Sequence, residues 1–392
     1  MSAQGVLWRR EKPLPLRRSQ TQSLVMVDTP LLTVTIVLLA LGLLMVGSAS
    51  ISIADRQLGS PFYFLMRQCV YVGVGALFAY MTLQLPLSVW QRSGPLLLLI
   101  SMLLLLLVVV PGIGRTVNGS TRWLSLVIFN LQVSELAKLA LVVYLAGYLV
   151  RRGDEVRTTI RGFIKPLGVL ALLALLLLVE PDFGAVVVMG STLMGMLFLA
   201  GVRLWLFGVL LSAAVGLLGV VAVASPYRLE RLTAFLNPWA DPFNSGFQLT
   251  QALIAFGRGD WFGVGLGASV QKLFYLPEAH TDFLFAVLAE ELGLVGAVGV
   301  IVLFVFLVWR AFAIGKEAAS AGRHFGAYIA YGVALGIGLQ TFINLGVNMG
   351  LLPTKGLTLP LMSYGGSSMI ATCIGIGLLL RVDRETRMGG AE

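Results

Sequence analysis

Long, almost uncharged apolar stretches recur along this chain and constrain its fold more than any other feature. Ten stand out, at residues 31–54, 64–81, 95–110, 136–150, 164–179, 185–200, 205–224, 282–309, 328–348 and 367–380. A helix needs about 20 apolar residues to cross a bilayer. In hydrocarbon every backbone polar group must be paired, which leaves only helices or closed barrels. Uninterrupted aliphatic runs such as residues 167–179 lack the alternation of a barrel strand. The expectation is therefore an all-α integral membrane protein with ten transmembrane helices. Composition agrees: 57% of residues are hydrophobic and 12% charged, against about 25% charged in soluble domains. A soluble globule, a disordered tail, a disulfide scaffold and a nucleic-acid module are excluded. Cys69 and Cys373 lie inside apolar runs and carry no redox signal.

The net charge of +9 is a topology signal. Short cytoplasmic loops accumulate Lys and Arg, and alternate segments here hold 18 basic residues against 9. The richer set includes Arg9, Arg10, Arg151, Arg152 and Arg310; the poorer one includes Arg115, Arg122, Arg228, Arg231, Lys272 and Lys355. Both termini are thus predicted cytoplasmic. The parts are an N-terminal tail (1–30), a membrane domain (31–380) and a C-terminal tail (381–392), with a large extracytoplasmic loop (225–281) between helices 7 and 8. That loop is rich in aromatics and glycine, so it is expected to fold against the bilayer surface or the helix mouth. The stretch 31–54 is too long for a signal-peptide core and sits behind a polar tail, so no cleaved leader is expected.

Ionisable groups near membrane depth are costly and mark candidate sites. Glu135 and Lys138 lie at i, i+3, one helix face, where they can pair. Glu180 and Asp182 flank Pro181, which reads either as a tight polar turn or as a site set below the surface. Glu278, His280 and Asp282 stand just before an apolar run. There Thr281 or Asp282 can serve as an N-cap, or the Asp282 carboxylate can serve as a base. Glu290 and Glu291 follow about 12 Å deeper and are expected to pair with buried basic or polar groups. His280 lacks a second ligand nearby, which favours loop hydrogen bonding over metal binding. Gly263-x-Gly265-x-Gly267 lacks the strand–helix setting of a dinucleotide site. The segment from Pro353 to Pro360, with Lys355, followed by Ser363-Tyr-Gly-Gly-Ser367-Ser368, reads as a re-entrant turn held by hydroxyls. Its alternative is an anion site made by Lys355 and backbone N–H groups.

Residues 276–293 (LPEAHTDFLFAVLAEELG), with Ser134-Glu-Leu-Ala-Lys138, Pro181-Asp-Phe-Gly184 and Ser363-Tyr-Gly-Gly-Ser-Ser368, resemble the SEDS polymerases of bacterial cell-wall synthesis. Four motifs in order cover nearly the whole chain outside the tails, and residues 353–360 are similar to the division branch rather than the elongation branch. Glu180 stands where glutamine is expected, and Val133 where proline commonly precedes the serine. The resemblance implies an inverting peptidoglycan glycosyltransferase that polymerises lipid II and releases undecaprenyl diphosphate at the outer face of the inner membrane, at the division septum. It implies Asp282 as the catalytic residue. Glu135, Lys138, Asp182, Arg115, Arg122, Lys272, His280, Lys355, Ser363 and Ser367 are candidates for substrate binding. A divalent cation (Mg2+ or Mn2+) is plausible chemistry for the diphosphate. The implied partners are a class B penicillin-binding transpeptidase (FtsI-like) and single-span activators like FtsQ, FtsL and FtsB. The competing readings are a lipid II flippase, kept open by Glu290 and Glu291, and a non-catalytic scaffold of the divisome.

Overall fold

The computed structural model describes residues 27–117, 120–125, 130–223, 235–244, 246–273, 275–353 and 356–389. Lys355, Arg228, Arg231 and the tail before residue 27 lie outside the described residues. Helices α1 (Thr29–Leu58), α2 (Tyr63–Gln84) and α3 (Leu87–Val109) precede three short strands, β1 (Gly114–Val117), β2 (Ser120–Ser125) and β3 (Asn130–Gln132). Then follow α4 (Val133–Thr158), α5 (Ile160–Val179), α6 (Phe183–Leu199), α7 (Leu204–Val223) and the short α8 (Phe247–Gly259). The chain closes with α9 (Leu284–Ser320), α10 (His324–Asn348) and α11 (Gly366–Gly389). Among the described residues eight helices are long and apolar enough to cross a membrane: α1 to α5 and α9 to α11. Helix α6 is equally apolar but has 17 residues.

Each of the ten expected stretches falls on a helix, with shifted ends. Helix α3 starts at Leu87, behind Pro86, and Pro95 lies inside it; the run of leucines after Pro95 had pointed to a start there. Helices α9 and α11 run past their apolar stretches to Ser320 and Gly389. On the extension of α11, i, i+4 pairs Arg381–Glu385 and Asp383–Arg387, each at 2.8 Å, sustain a polar helix. To the predominantly helical chain the structure adds a small sheet that the sequence reading did not include, antiparallel in the order β1-β2-β3. Strands of three to six residues are too short to carry a periodic signal.

Burial sorts the helices. In α4 and α11, 72% of the apolar window is buried, in α2 only 11%, so α4 and α11 are central while α2 presents its face to lipid. Asp28 caps α1 by accepting from the Leu31 N–H at 2.9 Å. It also takes Arg310 of α9 at 2.6 Å and Arg387 of α11 at 3.1 Å, and so fastens three helices at one end of the bundle.

Helix α9 is broken at Gly293, whose φ of 66° and ψ of −166° are closed to other residues. The freed backbone groups pair with the loop after α8: Leu294 N–H donates to Asp260 O (2.8 Å) and Val295 N–H to Trp261 O (3.1 Å). In return Val264 and Gly265 N–H donate to the carbonyls of Glu290 (3.0 Å) and Glu291 (3.1 Å). Gly263 also has a positive φ, and a Cβ there would fall 2.2 Å from the Glu291 carbonyl oxygen. The glycine triplet therefore serves a backbone junction.

Candidate active site

The site is organised by residues 356–365, which have no regular secondary structure yet bury Leu357, Leu359, Leu361, Met362 and Ser363. Irregular backbone at membrane depth is tolerated only where protein satisfies it. Asn344 Nδ2 donates to Leu357 O at 2.6 Å, Gln340 Nε2 to Thr358 O at 2.9 Å and Gln68 Nε2 to Ser363 O at 3.1 Å. Ser363 Oγ accepts from the Leu359 N–H at 3.0 Å, and the Thr358 hydroxyl meets that of Ser368 at 2.9 Å. This is the buried turn held by hydroxyls expected from sequence, with helix amides added.

Three motifs far apart in sequence reach three consecutive residues of this segment. Asp282 stands against Gly356: a Cβ on that glycine would lie 3.0 Å from Asp282 Oδ2. The start of α6 reaches Leu357, whose side chain lies 3.0 Å from where a Cβ on Gly184 would be. Glu135 and Lys138 reach Thr358 through Gln340. Lys138 Nζ sits 2.8 Å from Glu135 Oε1 and 2.6 Å from Gln340 Oε1, so the expected i, i+3 pair forms and its lysine bridges α4 to α10. Glu135, Lys138 and Gln340 also line an open cleft whose remaining walls are formed largely by apolar residues such as Val142, Met189 and Ile337.

The surroundings of Asp282 correct one expectation. Neither Thr281 nor Asp282 caps α9: the cap position belongs to Phe283, which makes no side-chain cap bond. The Thr281 hydroxyl bonds Glu278 Oε2 at 2.7 Å. The helix start is served from across the bundle, where Asn348 Oδ1 accepts from the Ala286 N–H at 3.1 Å. Asn348 Nδ2 and Asn344 Nδ2 also donate to the Asp282 backbone carbonyl at 3.0 and 2.9 Å. The backbone of Asp282 is thus clamped by two amides while its carboxylate points to the 356–358 segment. Gln340, Asn344 and Asn348 escaped the sequence reading, which followed charges. Their signal was present as amides at i, i+4 and i+8 on one helix face.

Asp182 caps α6 by accepting from the Ala185 N–H at 3.2 Å and takes the Ser134 hydroxyl at 2.9 Å. Arg122, on β2, donates to the carbonyls of Glu180 (3.3 Å) and Pro181 (2.6 Å) and lies 4.0 Å from Asp182. Among the described residues, neither carboxyl oxygen of buried Glu180 has a hydrogen-bond partner. Burial pushes its pKa up to about 8, the Asp182 charge adds to this and Arg122 opposes it. Burial thus favours the neutral acid, the form closest to the glutamine expected at that position. Because its folded pKa lies above the ordinary value of 4.5, its contribution to stability is complete below that value and is lost as pH rises through about 8. Glu180→Gln should flatten this loss and melt higher than the parent at pH 8 to 9; equal melting profiles across that range would refute the assignment.

The remaining candidates divide. Ser367 Oγ accepts from the Gln132 N–H at 2.8 Å and ties α11 to β3. Arg115 is exposed on β1, with Asn130 at 3.4 Å. The His280 ring packs between Phe64 (4.6 Å) and Tyr364 (5.5 Å), and its Nδ1 has no hydrogen-bond partner. Tilted ring contacts therefore stand in place of the expected loop hydrogen bonding at that nitrogen. Burial lowers the His280 pKa, and the Glu278 charge offsets only part of this. Lys272 is buried, 2.7 Å from Glu291 and 2.9 Å from Ser48 Oγ. Glu290 accepts from Ser269 Oγ and from the N–H groups of Val270 and Gln271, with Arg258 at 3.5 Å. Both glutamates thus pair with buried polar or basic groups, as expected. Among the described residues no three His, Cys, Asp or Glu side chains converge to hold a metal ion.

The family model of cell cycle proteins, spanning FtsW, RodA and SpoVE, matches residues 29–388. The chain belongs to this family. A probable peptidoglycan glycosyltransferase FtsW from Thioalkalivibrio sulfidiphilus is 60% identical over 93% of this chain and 91% of its own length. One of the same description from Nitrosococcus halophilus is 62% identical over 92% of this chain and 93% of its own length. Among solved structures, a chain described for the structural coordination of polymerization and crosslinking by a peptidoglycan synthase complex matches with a TM-score of 0.75 and 33% identity, over 92% of this chain and 99% of that one. The rod shape determining protein RodA of Thermus thermophilus matches with a TM-score of 0.68 and 31% identity, over 92% and 98%. The SEDS resemblance is therefore membership, and these curated relatives carry the name of the division branch.

Proposed function

We propose that this chain is a peptidoglycan glycosyltransferase that polymerises lipid II into glycan strands during septal wall synthesis. The observation that carries the reading is the identity of 60% and 62% to curated FtsW glycosyltransferases over more than nine-tenths of both chains. In the chemistry proposed, a sugar hydroxyl attacks the anomeric carbon of the sugar bound to diphosphate. The new C–O bond forms as the bond to phosphate breaks, with inversion. The Asp282 carboxylate takes the hydroxyl proton as general base, and undecaprenyl diphosphate departs as an anion, so no protein acid is needed. The clamp on the Asp282 backbone supports this role, because a base must be held within hydrogen-bond reach of its proton. Arg115, Arg122 and Lys355 are proposed to meet the diphosphate.

The described residues offer no cage for Mg2+ or Mn2+, so no step is routed through a metal. A cation serving the diphosphate is proposed to arrive on the substrate, and full polymerisation in excess chelator would remove it. Ten membrane-spanning helices with both termini in the cytoplasm are proposed from the basic-residue asymmetry, with residence in the inner membrane at the septum. A class B penicillin-binding transpeptidase is proposed as the crosslinking partner, with FtsQ-, FtsL- and FtsB-like activators. The transport reading loses its main support, because Glu290 and Glu291 are engaged by the loop residues 269–272 and by Ser48. Purified complex given labelled lipid II in detergent is expected to yield polymer. Detergent abolishes the two compartments that a flippase requires, so failure to make polymer under any condition would leave transport or scaffolding.

A further inference from the structure

The break in α9 divides the helix into two unlike parts. Residues 284–291 are buried, whereas Leu294, Val295, Val298, Val302 and Val305 beyond the break are each at least 46% exposed and form an exposed apolar stripe. The stripe ends at Trp309, next to Arg310, whose charge is held by Asp28. From Leu294 to Trp309 it covers about 22 Å at 1.5 Å per residue, while the hydrocarbon core is about 30 Å thick. Roughly 8 Å of hydrocarbon remains at the Asp282 end of this helix.

Residues 260–267 lie at that level, since their backbone pairs with the N–H groups of Leu294 and Val295. We propose that this loop is an interfacial anchor that inserts Trp261, Phe262 and Leu266 into the bilayer leaflet on the Asp282 side and so completes the apolar belt of α9. Three observations select lipid over a protein as the occupant. These side chains are 62%, 82% and 57% exposed and continue the exposed apolar stripe without a gap in the chain of backbone contacts. Beyond the exposed Asp260 at its start, the loop and the residues after it up to 271 contain no ionisable side chain. The N–H groups of Gly263, Val264 and Gly265 are all paired with helix or loop carbonyls, which removes the cost of burying these three donors in a leaflet. Aromatic residues concentrate at the membrane–water boundary, and Trp309 occupies the opposite end of the same stripe. The inference goes beyond the glycosyltransferase reading and stands without it.

The test uses the full chain in lipid nanodiscs, with the Trp261 emission obtained as the parent minus Trp261→Phe. The expected result is quenching by lipids brominated along the acyl chain and insensitivity to aqueous iodide. Quenching by iodide without quenching by bromolipid overturns the proposal. Shielding from both quenchers also overturns it, because a second copy or another protein then covers the patch. An independent reading comes from Leu266→Cys carrying a nitroxide, in a chain with Cys69→Ser. Its collisions with oxygen are expected to exceed those with a water-soluble nickel complex at least several-fold; the reverse order rejects the anchor.

Discussion

Asp282→Asn in the purified complex is expected to lower glycan polymerisation by about 10²–10⁴-fold, the range for loss of a general base, while the complex still assembles. The structure makes this substitution unusually clean. Asp282 does not cap α9, since the cap position is Phe283, and its anchors from Asn344 and Asn348 land on its backbone carbonyl. An Asn side chain of nearly the same shape leaves those bonds in place and still fits against Gly356. The side chain loses its negative charge and with it the capacity to accept a proton. Near-normal polymer from an intact complex would remove Asp282 from catalysis and make Asp182 the next carboxylate to test.

The second large effect concerns stability. Among the described residues, Lys272→Met leaves the fully buried Glu291 carboxylate with only the Ser48 hydroxyl, at 2.7 and 2.8 Å. Removing one partner of a buried pair costs about 3–5 kcal/mol, because the other charge stays uncompensated. A marked fall in melting temperature in detergent is expected. Adding Glu291→Gln should restore much of it, since a neutral amide no longer needs a cation. The same pair of variants decides what Lys272 is for: unchanged melting with lost polymerisation would return it to the substrate, where the sequence reading had placed it.

Helix existence was legible because the spans are long and strongly apolar. Their ends were not, because polar extensions such as residues 381–389 are sustained by i, i+4 ion pairs and tertiary ties that hydropathy does not register. The sheet left no periodicity, because its strands are only three to six residues long. In the site, Glu135 with Lys138 could be read from spacing alone. The convergence of Asp282, Gly184 and Gln340 on residues 356–358 could not, because it depends on how α4, α6, α9 and α10 are arranged around the segment. Glu290 and Glu291 illustrate the same limit: their partners lie about twenty residues back in a loop, and in Ser48 on α1, where no local pattern points.

The buried segment 356–365 also bears on how the chain enters the membrane. Apart from the Met369 N–H, which begins α11 by donating to the Gly365 carbonyl, the groups among the described residues that pair with the segment's backbone from outside it come from Gln68, His280, Gln340 and Asn344. All four precede it in the sequence. Synthesis runs from the N-terminus, so each partner has left the ribosome before the segment it serves. An irregular stretch that hydrocarbon would penalise at every unpaired carbonyl therefore arrives into a receptor already built. The order of the genetic message doubles as an order of assembly.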